Sequence, residues 1–106
     1  MILVLGGAFQ GKKDFARDHF GDKAKFITDI EERFKTDKAS LIDEINDKLL
    51  KNEQLIIIGN EIGNGIVPID KEERSYREEY GRYLCELAKN ASEVWRVFCG
   101  VGMRIK

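Results

Sequence analysis

The distribution of apolar and polar residues along this chain predicts strands and helices that follow one another in turn. Short apolar runs with few charges predict buried strands at Ile2–Leu5, Lys25–Thr28, Leu55–Ile58, Val94–Phe98 and Val101–Ile105. Apolar residues spaced three and four positions apart predict helices at Lys12–Phe20, Ser40–Lys51 and Lys71–Asn90. The expected fold is therefore α/β, with three layers and a mostly parallel sheet of about five strands between helices.

Capping residues and glycines refine these helices. Gly21 ends the first helix, and either Asp37 or Ser40 can cap the second. Gly81 lies inside the third helix and indicates close packing there. The buried stripe of that helix is expected to be Tyr76, Tyr80, Tyr83, Leu84, Leu87 and Ala91.

Length and composition favour one ordinary globular domain, residues 1–106. Hydrophobic residues make up 42% and charged residues 35%, and the net charge of -1 gives no electrostatic basis for binding nucleic acid or an anionic membrane. No apolar run is long enough to span a bilayer, so a cytoplasmic location is the default expectation. The cysteines, Cys85 and Cys99, are far apart in sequence and are expected to be buried thiols rather than metal ligands.

The segment after the first predicted strand has the form G-x-x-x-x-G-K of a phosphate-binding loop. It comprises Gly6, Gly7, Ala8, Phe9, Gln10, Gly11, Lys12 and Lys13. Such a loop turns its backbone N–H groups toward phosphate oxygens, its lysine reaches the terminal phosphates, and the next helix adds its positive N-terminal end. These residues are the predicted nucleotide site, with Lys12 as a catalytic candidate. The alternative is a glycine-rich turn with a solvated Lys12.

Lys13 departs from this pattern. The position ordinarily carries a Ser or Thr whose hydroxyl is a ligand of the Mg²⁺ that accompanies the nucleotide. A lysine there predicts a weakened metal site. His19, on the same helix, is expected to be a partly exposed structural residue. It lies near the C-terminal end of that helix, where a positive charge is favourable.

Further polar residues follow the other predicted strands, where ligands of parallel sheets bind. Asp29 is the candidate Mg²⁺ ligand, or else a helix cap before the acidic pair that follows it. Asn60 and Glu61 follow the strand ending at Ile58. Glu61 is the second catalytic candidate, as a base or metal ligand, or else it holds the glycine-bearing loop by accepting backbone hydrogen bonds.

Both ends of the chain resemble one enzyme family. The stretch from Asn60 to Pro68, NEIGNGIVP, closely resembles the Asn-Glu-Val-Gly-x-Gly-Ile-Val-Pro signature of the bifunctional adenosylcobinamide kinase and adenosylcobinamide-phosphate guanylyltransferase family. The ending from Glu93 to Lys106 is similar to the close of that family, and the opening ILVLGGA with Gly11-Lys12 matches its start. The resemblance covers a little more than half of the chain.

The resemblance implies a RecA-like P-loop fold, here truncated, and assembly into a homo-oligomer. It implies ATP or GTP with Mg²⁺ as cofactors and a corrinoid acceptor. The family phosphorylates adenosylcobinamide and then transfers GMP to the product through a covalent histidine, in cobalamin biosynthesis. Family members are longer, and the segment that carries this histidine is cut down here.

Several polar positions of the family pattern are also changed. Lys13 replaces a Ser, Phe9-Gln10 replace Arg-Ser, and Leu84-Cys85 replace an amide pair. The leading hypothesis is a kinase that phosphorylates adenosylcobinamide without guanylyl transfer. The alternative is a catalytically inactive nucleotide- or corrinoid-binding relic, or an oligomeric partner of a full-length enzyme.

Overall fold

The computed structural model describes residues 1–7, 10–21, 23–51, 54–61 and 71–106. Its strands are β1 (Ile2–Gly6), β2 (Lys25–Ile27), β3 (Leu55–Asn60), β4 (Glu93–Phe98) and β5 (Val101–Arg104). Its helices are α1 (Lys12–Phe20), α2 (Ile30–Leu50) and α3 (Lys71–Asn90). The predicted alternation of strands and helices is confirmed.

The strands form one five-stranded sheet in the order β2-β3-β1-β4-β5. The first four strands are parallel, and β5 returns antiparallel to β4. Leu3 of the central strand β1 lies opposite Ile57 of β3 and Val94 of β4. Strands β2 and β3 lie on one side of β1 in this order, and β4 and β5 lie on the other. The strand order therefore reverses at β1, and ligands of such sheets bind at the carboxyl end of the strand where the order reverses.

Side chains alternate between the two faces of the sheet and build two cores. Leu3, Ile57 and Val94 pack with α2 and α3, while Val4, Ile58 and other residues pack against α1 on the opposite face. Helices therefore cover both faces, which confirms the three-layer α/β expectation. The stripe predicted for α3 also lies in or against the first of these cores.

Helix α2 begins earlier than the sequence predicts. Its second half is preceded by a break at Asp37, where φ is -152° and ψ is 76°. The Ser40 N–H donates to Asp37 Oδ1 at 3.2 Å, so Asp37, one of the two candidate caps, caps this half. Apolar spacing did not predict the helical turns before the break, although the alternative role of Asp29 as a helix cap implies a helix there. These turns are held because Ile30 and Phe34, four positions apart, are both buried in the core.

Two glycines permit close approaches beneath the carboxyl edge of the sheet. A Cβ at Gly59 would lie 2.6 Å from Ile30 Cδ1, and a Cβ at Gly6 would lie 2.5 Å from the Val97 carbonyl oxygen. A side chain at either position would push α2 or β4 away from its neighbouring strand. These glycines thus set the spacing of the elements around the site.

Two expectations about single residues are wrong. Cys85 and Cys99 are exposed rather than buried. An added Cβ at Gly81 would meet no atom of the described residues within 4 Å, so among them this glycine does not mark close packing. No helix in the described ranges is both long and apolar enough to cross a membrane.

Candidate functional site

A cavity of about 680 Å³ opens at the carboxyl ends of β1, β2 and β3. The first turns of α1 and α2 border it, and α3 forms a third wall. Its described lining includes Gln10, Lys12, Lys13, Asp29, Asn60 and Tyr76. Residues 10–13 of the glycine loop, Asp29 and Asn60 therefore lie around one cavity, whereas Glu61, which was expected to lie with them, does not line it.

Lys12 is the central cation of this cavity. Its side chain starts in the first turn of α1 and is 9% exposed. The Nζ atom donates to the Gly7 carbonyl oxygen at 2.6 Å and to Asn60 Oδ1 at 2.7 Å. Burial lowers the pKa of Lys12, and the neighbouring charge of Lys13 lowers it further, against smaller opposing effects of nearby carboxylates. A buried ammonium that bonds to two uncharged oxygens is well placed to exchange them for an anion.

The acceptor Asn60 is held from behind by α3. The fully buried Tyr80 donates its hydroxyl to the Asn60 carbonyl oxygen at 3.0 Å. Burial raises the pKa of Tyr80, so its phenol stays protonated and remains a donor. Tyr80 is thus a positioning residue, which fixes the strand end whose side chain contacts Lys12.

The carboxyl-terminal half of the glycine loop is tied to the turn between β4 and β5. Gln10 accepts from the Cys99 N–H through its side chain at 2.7 Å and from the Gly100 N–H through its carbonyl at 2.8 Å. Gly11 follows with φ of 82°, and no side chain caps α1. The first N–H groups of the helix are therefore left for an anion at its positive end. Ala8 and Phe9 lie outside the described residues.

Lys13 and Asp29 face each other across the cavity mouth. Lys13 Nζ lies 3.4 Å from Asp29 Oδ1, and Thr28 Oγ1 donates to Asp29 Oδ2 at 3.1 Å. Asp29 stands at the N-cap position of α2 with φ of 56° and ψ of 38°, but its side chain makes no capping hydrogen bond. The carboxylate predicted to hold Mg²⁺ is thus paired with the lysine that replaces the expected hydroxyl.

Glu61 takes a different direction from the other site candidates. Its N–H donates to the Gly6 carbonyl oxygen at 3.0 Å, next to the last β1–β3 pair, Gly6 with Asn60. Its carboxylate then pairs with Arg96 of β4, at 3.2 Å from Nε to Oε1. It is not among the described residues that line the cavity. Residues 62–70, with most of the NEIGNGIVP stretch, lie outside the described residues.

The outer wall of the cavity is formed by residues that were not among the predicted site residues. Lys35 and Thr36 of α2, with Glu73 and Tyr76 of α3, contribute to the lining. Tyr76 donates to the Glu31 carbonyl oxygen at 2.8 Å, which joins the two helices. The four-residue spacing of Ile30 and Phe34 could have predicted the first turns of α2. Those turns carry part of this wall.

His19, near the end of α1, is not among the residues that line this cavity. Its ring stacks on Phe15, with centroids 5.3 Å apart, and contacts Trp95 at 4.7 Å. The side chain is exposed, as expected for a structural residue near the end of α1.

The sheet, the glycine loop and the lysine at a helix N-terminus define a P-loop α/β protein. A family model described as "Cobinamide kinase / cobinamide phosphate guanyltransferase" matches residues 20–105. The chain therefore belongs to this family, as the resemblance of its motifs predicted. The glycine loop itself precedes the matched residues.

Two curated relatives support this assignment. The chain is 42% identical over 53 residues to the bifunctional adenosylcobalamin biosynthesis protein CobU of Escherichia coli, and equally similar to the protein of the same name from Salmonella typhimurium. Each match covers 50% of this chain and 29% of the relative. The matched part of the chain thus spans less than a third of the length of each relative.

Proposed function

We propose that this protein binds the phosphates of ATP or GTP at the Lys12 cavity and phosphorylates the hydroxyl group of adenosylcobinamide, a step of cobalamin biosynthesis. The observation that carries this proposal is the buried Lys12 ammonium at the N-terminus of α1. Family membership supplies the class of reaction and the corrinoid acceptor.

In this reaction the acceptor oxygen forms a bond to the γ-phosphorus. The bond from that phosphorus to the β–γ bridging oxygen breaks, and the hydroxyl proton leaves to solvent or to a base. Such transfers depend mainly on positioning and on stabilising the charge of the phosphoryl oxygens. Lys12 and the loop N–H groups supply this stabilisation in the proposal, with Gly6, Gly7 and Gly11 allowing the backbone to approach.

Glu61 remains the proposed second catalytic group. Its carboxylate must leave Arg96 before it can accept the hydroxyl proton, since the two are paired at 3.2 Å. Guanylyl transfer is not part of the proposal, because the route of the family needs a histidine and His19 does not line the cavity.

The test is product formation with adenosylcobinamide and either GTP or ATP, followed by mass spectrometry of the corrinoid. The wild-type protein is expected to yield the phosphorylated corrinoid, and Lys12→Ala is expected to lose roughly a hundredfold in rate. Lys23→Ala is the matched control, since Lys23 is an exposed lysine that does not line the cavity. Equal rates for the two variants would contradict the proposal.

A binding role without phosphoryl transfer is the second candidate. It is favoured by the ion pairs that engage both acidic candidates, Asp29 with Lys13 and Glu61 with Arg96. The protein would then be a nucleotide- or corrinoid-binding relic or an oligomeric partner of a full-length enzyme. Nucleotide binding that depends on Lys12 but yields no phosphorylated corrinoid would establish this role.

Self-association into a homo-oligomer is part of the same proposal. Large apolar side chains are exposed along the β4–β5 hairpin at Phe98, Val101, Met103 and Ile105. The hairpin ends the sheet, and β5 pairs with β4 alone among the described strands. An exposed apolar edge strand is a surface that a second copy can cover by strand pairing.

A further inference from the structure

Mg²⁺ fits this cavity poorly. P-loop enzymes hold the ion with a hydroxyl next to the loop lysine and with a strand-end carboxylate. Here the hydroxyl position carries an ammonium, and the carboxylate of Asp29 already pairs with it at 3.4 Å. The donor set is that of a site in which a lysine holds the place of the ion.

We propose that the Lys13 ammonium replaces Mg²⁺ as the second cation of the phosphate site, so that the protein binds the metal-free form of the nucleotide. This inference rests on the proposed nucleotide binding. It assigns Lys13 and Asp29 a paired role: Asp29 holds the Lys13 side chain at the cavity mouth until the phosphates arrive.

The geometry allows this exchange. The side chains of Lys13 and Asp29 are 53% and 60% exposed, so water and salt screen their attraction and the pair opens at little cost. Lys12 and Lys13 are consecutive residues in the first turn of α1, and both line the same cavity. Phosphate oxygens at the helix N-terminus can therefore contact both ammonium groups.

The two lysines repel each other electrostatically in the absence of a ligand. The charge of Lys13 is the second cause, after burial, of the lowered pKa of Lys12. Adjacent like charges are unfavourable in an empty site and become favourable when an anion lies between them. The two lysines thus favour an anion at the N-terminal end of α1, in a cavity that Glu31, Glu32 and Glu73 of α2 and α3 also line.

A divalent cation works against this arrangement. Mg²⁺ bound to the β- and γ-phosphates removes much of the charge that attracts the lysines. It also experiences repulsion from Lys13 at the position where a protein ligand is needed. Adding Mg²⁺ is therefore expected to leave the affinity for nucleotide unchanged or to lower it.

Isothermal titration with GTP and with ATP tests the inference, each in EDTA and in excess Mg²⁺ at matched ionic strength. The wild-type protein is expected to bind at least as tightly in EDTA as in Mg²⁺. Lys13→Ser, which restores the hydroxyl, is expected to bind about fivefold more weakly in EDTA and to regain affinity when Mg²⁺ is added. Lys23→Ser is the matched control, and circular dichroism checks that each variant is folded.

Two results would overturn the inference while leaving nucleotide binding intact. One is wild-type binding that tightens about fivefold or more with Mg²⁺. The other is a Lys13→Ser variant whose response to Mg²⁺ equals that of the wild type. Failure of the proposed function has a different signature: no heat of binding from either nucleotide under any condition, or Lys12→Ala binding as tightly as the wild type.

Discussion

At the scale of single residues, the protonation of Lys12 decides whether the cavity attracts an anion. Burial and Lys13 both lower its pKa, so the ammonium loses its proton at a lower pH than an exposed lysine does. Affinity for ATP, whose terminal phosphate is fully ionised above about pH 7, is therefore expected to fall as the pH rises through this lowered pKa. Titrations in EDTA between about pH 7.5 and 10.5 measure the fall.

The Lys13→Ser variant tests how much Lys13 contributes to the lowered pKa of Lys12. Removing the neighbouring positive charge raises the pKa of Lys12, so the fall in affinity should move to higher pH. An unchanged midpoint would show that Lys13 does not act on Lys12 electrostatically.

Tyr80 is the second residue whose single contact has a measurable consequence. Its hydroxyl is buried and donates to the Asn60 carbonyl oxygen. Tyr80→Phe keeps the ring and removes this donor, which leaves the carbonyl short of a partner and is expected to cost about 1 kcal/mol in the free energy of unfolding. Urea denaturation measures this loss. Nucleotide affinity should also fall, because Asn60 contacts Lys12; unchanged affinity would argue against the positioning role.

At the scale of elements, the contact between β3 and α2 depends on Gly59. Gly59→Ala places a methyl group 2.6 Å from Ile30 Cδ1 and 3.1 Å from the Tyr80 hydroxyl oxygen. We expect this overpacking to lower the free energy of unfolding by about 1–3 kcal/mol. Gly81→Ala is the matched substitution in open space, within α3, and should stabilise the protein by up to about 1 kcal/mol. Chemical denaturation of both variants compares them, and similar effects would contradict the packing argument.

Elements also show what could be predicted from the sequence and what could not. The apolar run at Leu55–Ile58 and the periodicity of α3 fix their elements locally, so both were predicted. The first turns of α2 are rich in charge and depend on two distant contacts, Ile30 against Gly59 and Phe34 in the core. Because these turns were not predicted, the outer wall of the cavity was not predicted either.

The pairing of site residues was harder still to predict. Strand ends indicated that Asp29 and Glu61 would lie near the loop. Their partners depend on side-chain direction across the sheet edge, which periodicity does not encode. Lys13 proved to pair with Asp29, and Arg96 with Glu61, so neither carboxylate is free in the structure.

At the scale of the whole molecule, the β4–β5 hairpin leaves one apolar surface uncovered. Phe98 lies opposite Val101, and Met103 lies opposite Arg96, so these apolar side chains share a face of the hairpin. Antiparallel pairing of two β5 strands about Met103 would place Val101 of one copy beside Ile105 of the other. Such apolar cross-strand pairs are favourable, and Arg104 would then face Gly102 rather than another charge.

This self-complementarity predicts concentration-dependent association, measured by sedimentation velocity. Met103→Lys places a charge at the centre of the pairing and should shift the protein toward the monomer. Leu50→Lys is the matched control: Leu50 is 83% exposed but lies at the end of α2, outside the hairpin, and its change should leave association as it is. Equal effects of the two would indicate general loss of surface hydrophobicity rather than a specific interface.

Since Gln10 of the glycine loop is hydrogen-bonded to Cys99 and Gly100 at the hairpin turn, association through β5 would also hold the loop in place.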